Sequence, residues 1–580
     1  MAKKSVQAVI PKWRYYLVML FLASLPLVLL VKIAQLQILP SQEHGVAFLQ
    51  NQGDSRAIRN ITIPAYRGLI TDRNGEPLAI STPVTAIIAN PQQIRGEDVK
   101  RIAIAIKASE SQLKTKLQRY RKKSFMVLVP QLSSDEAEKI LDLNISGVSA
   151  KKTYKRFYPA GEVTAQLVGF TNYKDIGQEG MELAYDDWLT GEEGEKKVVI
   201  DRSKRVINDI SLIKAAKSGE ELRLSIDLRV QYAAYRALKK SVKRHNAKSG
   251  SVVVLDVLTG EVLAMVNQPS FNPNDRTQLR QDAVRNRAMT DLMEPGSTVK
   301  PFTMMAAIES GKFSPETLIN TSPGYLKVDY KTFVDPIDYG ELSLAGVLAK
   351  SSQVGTTKIA LELNPEFTRE LFQRVGFGEV VGSGFPGETV GNLPAYRKWD
   401  QVTQATFAFG YGLSVSSLQL ARAYSVLAND GVIKDISLVA LDSEPTSQRV
   451  IDAEISQKVR EMLRTASGVS GTGKRAMIDG YSVGGKTGTL HKVKAGGGYD
   501  ESRYMSAFAG LSPAANPRLV TVVVIDEPSD GSYFGGLVAA PVFSEVTGSA
   551  LRLLQVTPDQ IDANRSVAGI PKLLKKRGES

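Results

Sequence analysis

The sequence contains no cysteine and only three histidines, at positions 44, 245 and 491. The first absence excludes disulfides, thiolate metal sites and a cysteine nucleophile. The second leaves a multi-histidine metal site or a histidine-based triad hard to assemble, because the three are far apart in the chain. A hydrolytic or transfer reaction would therefore draw its proton carrier from Lys, Asp, Glu or Tyr. Negative charge is also missing at the start: Glu43 is the first acidic residue, whereas Lys3, Lys4, Lys12 and Arg14 come early. What is present is ordinary globular composition, 43% hydrophobic and 23% charged over 580 residues, which excludes wholesale disorder and allows about three domains at roughly 100–200 residues each. The formal net charge of +13 suits an anionic polymer or membrane surface. No groove-reading motif points to nucleic acid.

Tyr15 to Val31 is a run of 17 uncharged residues, and Lys32 interrupts apolar sequence that continues to Leu39. A span needs roughly 17–25 such residues, and Lys32 can snorkel to the headgroups. No small-x-small cleavage site follows, so the run reads as an uncleaved anchor over 15–39. The basic flank keeps 1–14 cytoplasmic and sends the remainder across the membrane.

From 40 to 220 the chain is mixed and rich in turn signals, and reads as a non-catalytic pedestal of the dimerisation type. A hairpin is expected around Asn74-Gly75 and another around 201–204. Val99 to Tyr120 has helical spacing with a basic, solvated outer face. A second domain is expected over 221–555. Val252–Val257 and Glu261–Asn267 read as a hairpin, Leu519–Ile525 as a buried strand, and Ser297–Glu309 and Ser416–Ala428 as helices between them. Strands at both ends of the segment predict one α/β or α+β domain whose first and last strands share a sheet. The tail, 556–580, reads as basic and flexible.

Within this domain Ser297 and Lys300 form S-x-x-K at the start of an apolar helix. Residues three apart share a helix face, so the lysine can reach the hydroxyl. A lysine acts as a base only when neutral, so its pKa must fall by about three units through burial or a neighbouring cation. The same pattern at Ser111, Ser149 and Ser211 has no accompanying chemistry. Lys486-Thr487-Gly488-Thr489 adds a cation and two hydroxyls for a substrate carboxylate on an edge strand, with Gly488 small enough for a backbone to approach. Gly480 to Thr487 is also a literal Walker A pattern, but it lacks an apolar strand before it and a helix after it. A G-x-S-x-G at Ser482 has no acid and histidine in the order an esterase needs.

S-x-x-K and K-T-G are two of three motifs shared by β-lactamases and penicillin-binding proteins. The third, S-x-N, has Gln353 for its Asn in Ser351-Ser352-Gln353. With the anchor, Arg67 to Gly75, Gly180-Met181-Glu182, Gly384 to Glu388 and Phe409 to Gly412, the chain resembles class B penicillin-binding proteins over nearly its whole length. It looks most like the division-specific type of Gram-negative bacteria. The resemblance implies a transpeptidase fold, an antiparallel sheet core flanked by helices, with no cofactor or metal. It implies cross-linking of peptidoglycan stem peptides through an acyl-Ser297 intermediate, with β-lactams as inhibitors. Lys300 would be the base, Ser351 the proton relay, and Lys486, Thr487 and Thr489 the donor-carboxylate site. Backbone N–H groups of Ser297 and Thr489 would hold the oxyanion. Tyr504, Tyr533 and Phe534 would line the cleft. Implied partners are the inner membrane, a glycan polymerase of the SEDS family and other division proteins, with the catalytic domain periplasmic. Gln353 departs from the pattern and leaves open a specialised second copy, or a β-lactam or muropeptide sensor or scaffold with weak transfer.

Overall fold

The computed structural model describes residues 11–38, 48, 53–55, 57–201, 206–277, 279–396, 398–494 and 496–560. The expected N-terminal tail up to residue 10, the end of the expected span at Leu39 and the C-terminal residues 561–580 lie outside the described residues. The apolar run forms one helix, α1, Lys12–Gln37. Its most apolar 18-residue stretch has a mean hydropathy of 2.5, and none of that stretch is buried against protein. At 1.5 Å per residue the helix spans about 39 Å, more than a bilayer core of about 30 Å. Pro26 stands inside it, as membrane helices tolerate. This is the fit of a single-pass anchor.

The rest divides into two compact units that interleave along the chain. One comprises Met1–Tyr66, Ala86–Lys152 and Gly191–Ser218; the other Arg67–Thr85, Thr153–Thr190 and Gly219–Ser580. Residues 67–85 and 153–190 group with the C-terminal unit, whose last segment, Gly219–Ser580, starts beside the expected boundary at 220. In the first unit, Gly194–Ile200 pairs antiparallel with both Ile58–Ile63 and Val206–Lys214, so the strands of the second expected hairpin pair, while residues 202–204 of its turn lie outside the described residues. Val99 to Tyr120 is two helices rather than one, Asp98–Ala105 and Glu110–Tyr120. Lys107 takes φ +55° between them, which ends the first helix. Both pack on strand Met126–Leu132 through Ile102, Leu113, Met126 and Leu128.

In the second unit the Asn74-Gly75 turn is held by the Asp72 carboxylate, which accepts from the N–H groups of Asn74 and Glu76. The main sheet has five antiparallel strands: β1 (Ser249–Asp256), β2 (Val262–Gln268), β3 (Gly484–Val493), β4 (Tyr499–Ser512) and β5 (Leu519–Asp526), in the order β2-β1-β5-β4-β3. The first and last strands in sequence are thus neighbours, as expected. Alternate side chains of β1 enter different cores. Val253 and Leu255 face one with Phe302 and Tyr424. Val252 and Val254 face another with Leu238 and Phe543. That is the period-two pattern of a sheet covered on both faces. The covering helices are α2 (Leu228–Arg244) and α7 (Ala540–Leu553) on one side, and α3 (Lys300–Glu309) and α6 (Ser417–Ala428) on the other. Two shorter helices, α4 (Leu344–Lys350) and α5 (Gln353–Glu362), complete the surroundings of the site. The strand β3 is left at the sheet edge. The described start of the expected tail is tied to the domain: Tyr481 Oη donates to the Val556 carbonyl, and Asp559 accepts from the Ser482 N–H.

Candidate active site

Ser297 lies on a 3-10 turn, Gly296–Val299, that runs directly into α3. Gly296 has φ +53°, and a Cβ there would stand 2.3 Å from the Leu490 side chain of β3. Only glycine permits both the backbone conformation and this approach. From the other side Gly296 N–H donates to the Gly410 carbonyl, and Tyr424 Oη of α6 donates to the Thr298 carbonyl at 2.7 Å. The turn is clamped between the sheet edge, the 409–412 segment and a buried tyrosine.

Lys300 opens α3 and is fully buried. Its ammonium nitrogen donates to the Ser351 carbonyl at 2.8 Å, the Ser352 carbonyl at 3.2 Å and the Ser351 hydroxyl at 3.3 Å. The Ser351 hydroxyl in turn donates to Ser297 Oγ at 3.3 Å. The one-turn spacing suggests direct contact of Lys300 with Ser297; the structure instead inserts the Ser351 hydroxyl between them. It can do so because Ser351 caps α4 in the left-handed conformation, φ +58°. Such a serine costs roughly 1–2 kcal/mol in backbone strain and persists only where the surroundings over-determine it. Here they do. Beyond the lysine bonds, Ser352 caps α5, and Asp335 accepts from Ser352 Oγ and from the N–H groups of Gln353 and Val354. Burial lowers the Lys300 amine to about 7, with the Asp335 charge pulling the other way. The amine is thus substantially neutral near pH 7, as a base for Ser297 requires.

On β3, Lys486 is also buried and donates to the Thr487 carbonyl at 3.1 Å. Burial, and then the charge of Lys300, hold its amine well below the usual lysine value. Thr487 Oγ1 donates to Thr472 Oγ1 at 3.0 Å, and Thr489 Oγ1 accepts from the Gly535 N–H at 3.0 Å. Gly488 packs tightly on its inner side. A Cβ there would meet Thr298 Cγ2 at 2.9 Å and the Pro295 carbonyl at 3.4 Å. What approaches it is the protein's own serine turn, so this glycine seats Ser297 against the strand.

Tyr504 stands opposite His491 in the β3–β4 register, with ring centroids 4.6 Å apart. Tyr533 stacks on Tyr504 at 4.0 Å and 14°, and Phe534 follows at 4.5 Å from Tyr533. Phe534 is 53% exposed, so this cluster is a surface wall beside Thr489 rather than core packing. Gln353 is exposed, and only its backbone is tied down. Its amide makes no hydrogen bond to Lys300 among the described residues. It lines an open cavity of about 570 Å³ with Phe333, Tyr411, His491, Tyr499 and Tyr504.

Three contributors had no motif to announce them. Asp335 is one of several acids in a turn-rich stretch, Thr472 sits in a glycine-rich loop, and Glu294 accepts from the Gly412 N–H next to the serine turn. Only the preference of Ser and Asp for helix starts hinted at the first. The competing motifs dissolve. Residues 484–493 are strand rather than a loop leading into a helix, so no phosphate cradle exists there. Ser482 is buried against Asp559. Ser149 and Ser211 lie on strands, where residues three apart point to opposite faces, and Ser111 lies on an exposed helix.

This arrangement is matched by the family model described as penicillin binding protein transpeptidase domain over residues 250–548, and by the penicillin-binding protein dimerisation domain over 62–224. The chain belongs to the penicillin-binding transpeptidase family. Among similar family members, the probable peptidoglycan D,D-transpeptidase PbpC of Pseudomonas aeruginosa is 43% identical over 91% of this chain and 94% of that protein. The peptidoglycan D,D-transpeptidase FtsI of Escherichia coli K12 is 39% identical over 95% of this chain and 93% of that protein. A solved structure, penicillin binding protein 3 of Mycobacterium tuberculosis complexed with aztreonam, is 28% identical with a TM-score of 0.67, covering 86% of this chain and 98% of that one. The family's transpeptidase fold, with its N-terminal dimerisation domain and an apolar anchor helix, is the architecture described above.

Proposed function

We propose that this chain is a serine-type peptidoglycan D,D-transpeptidase of septal cell-wall synthesis, and that it is acylated by β-lactams. The observation that carries the assignment of residues is the Ser351 hydroxyl lying 3.3 Å from both Ser297 and a buried Lys300 lowered to about 7. Ser297 attacks the carbonyl between the donor's terminal D-alanines. Its proton passes through the Ser351 hydroxyl to the neutral Lys300, and the same hydroxyl returns a proton to the departing amine of D-alanine. The amine of a neighbouring stem peptide then takes the acyl group from Ser297. Lys486, Thr487 and Thr489 receive the donor carboxylate, and the N–H groups of Ser297 and Thr489 hold the oxyanion, where one donor is worth roughly 3 kcal/mol.

By the charge asymmetry of its flanks, α1 crosses the inner membrane with the N-terminus cytoplasmic and both folded units periplasmic. The anchor and the 40–220 segment are the proposed docking elements for a SEDS-type glycan polymerase and other division proteins. The catalytic segment is 221–555 together with the two insertions it folds with. Intact-protein mass after penicillin treatment tests the nucleophile: a single covalent adduct is expected on the wild type and none on Ser297→Ala. An adduct on that variant would sink the assignment.

One observation favours a second reading. The Gln353 amide does not reach Lys300, which fits a β-lactam or muropeptide sensor with weak transfer. Penicillin acylation without transfer from a peptide thioester to an amine acceptor would support the sensor. A Gln353→Asn variant with equal acylation and transfer rates would remove Gln353 as the reason.

A further inference from the structure

The segment 527–534 leaves β5 and brings Tyr533 and Phe534 to the cleft. Its tip is fastened to the far side of the domain. His245, the C-cap of α2, is 8% exposed, and its Nδ1 lies 2.8 Å from Asp530 Oδ2. An ionised carboxylate only accepts, so Nδ1 carries the proton. The other Asp530 oxygen accepts from the Ser532 N–H at 3.0 Å, one residue before Tyr533. The His245 carbonyl accepts from the Ser529 N–H at 2.9 Å, and Asn246 exchanges two bonds with the Ser529 hydroxyl at 2.7 and 2.8 Å. Beyond Asp530, Ser506 Oγ of β4 donates to the Tyr533 carbonyl. Asp530 is therefore a bracket: one oxygen holds the backbone that leads into the aromatic wall, and the other holds α2.

We propose that His245, through Asp530, is a positioning residue for the aromatic wall formed by Tyr504, Tyr533 and Phe534. It touches neither substrate nor the reacting atoms. It acts by removing the freedom of the loop before the substrate arrives, so that binding does not have to order it. The inference rests on the reading of Tyr533 and Phe534 as substrate-contacting residues. The imidazole supplies its nitrogen two bonds from Cβ. The amide nitrogen of Asn sits at the same distance along the side chain, whereas that of Gln lies one carbon further out.

The test is the steady-state kinetics of the full-length, detergent-solubilised protein with a peptide thioester, KM and kcat being read separately. In His245→Ala, His245→Gln and Asp530→Ala, KM is expected to rise about fivefold to tenfold, the size of losing one net hydrogen bond, while kcat stays within about twofold. His245→Asn restores the wild-type KM. The double variant His245→Ala with Asp530→Ala is no worse than Asp530→Ala alone, because the histidine acts only through that carboxylate. The parallel variant Phe534→Ala separates the premise from the inference. An unchanged KM there overturns the wall reading, and the proposal with it. A raised KM there with His245→Ala unchanged overturns the anchor alone. So does His245→Asn behaving like His245→Ala, or a loss that falls in kcat. Circular dichroism of each variant separates unfolding from loosening, and the Asn rescue decides the matter if the alanine variant fails to fold.

Discussion

At the scale of single residues the site turns on protonation and on space. Lys300 is lowered to about 7 by burial, so its neutral form grows as pH rises through that value. Acylation of Ser297 by a fluorescent penicillin is expected to rise about tenfold per pH unit below pH 7 and to level off above it. Arginine cannot deprotonate in this range, so Lys300→Arg should lose about 100-fold or more in acylation rate. An acid limb that survives unchanged in Lys300→Arg would assign the titration to another group. Gly488 is a matter of space. A Cβ there meets Thr298 Cγ2 at 2.9 Å, so Gly488→Ala must push the serine turn off β3. A fall of about 100-fold in acylation is expected from a displacement of that kind, with penicillin labelling as the measurement.

At the scale of elements, the catalytic groups stand at the ends of structures whose starts and stops are strongly determined. Ser297 precedes α3, Ser351 ends α4 and Ser352 begins α5. The break between α4 and α5 is what turns the Ser351 hydroxyl toward Lys300. Ser352 is fully buried, caps the Gly355 N–H and donates to Asp335. Ser352→Ala removes the cap and takes a partner from a buried carboxylate, a loss of about 1–3 kcal/mol. Thermal unfolding of this variant should show a lowered Tm, and its acylation should slow as Ser351 loses its hold; an unchanged Tm would mean that Asp335 alone defines the break. Expectations held at this scale where local signals were strong. The Asn74-Gly75 and 258–260 hairpins, the Ser416-capped helix and the edge placement of K-T-G-T all form. The helix expected across 99–120 splits because Lys107 adopts a left-handed backbone, which helical spacing does not report.

At the scale of the whole molecule, the anchor and the interleaved units come into play. Among the described residues one apolar helix, with no buried face, is long enough to cross a bilayer and fits a single-pass anchor. The full-length protein should stay in the membrane fraction after a carbonate wash. In spheroplasts, external protease should remove both folded units while an epitope placed at the N-terminus stays protected; cleavage of that epitope would reverse the orientation. Residues 67–85 and 153–190 lie within the stretch matched by the dimerisation domain, 62–224, and group in one compact unit with Gly219–Ser580; within them Arg67 and Arg156 both bind the buried Glu182 at 2.7 Å.

By itself the chain determined what depends on identity and spacing: the anchor, the absence of thiol and histidine chemistry, the Ser297–Lys300 pair, and strands that alternate between two cores. Those features follow from periodicities of two and of about 3.6 and from the chemistry of each side chain, which are local. Tertiary structure alone decided the rest. It put the Ser351 hydroxyl between Ser297 and Lys300, brought up Asp335 and Thr472, set Gly488 against the protein's own serine turn and left Gln353 lining an open cavity. Each of these depends on two distant segments meeting at a few ångströms, and such a distance is set by the packing of the layers between them.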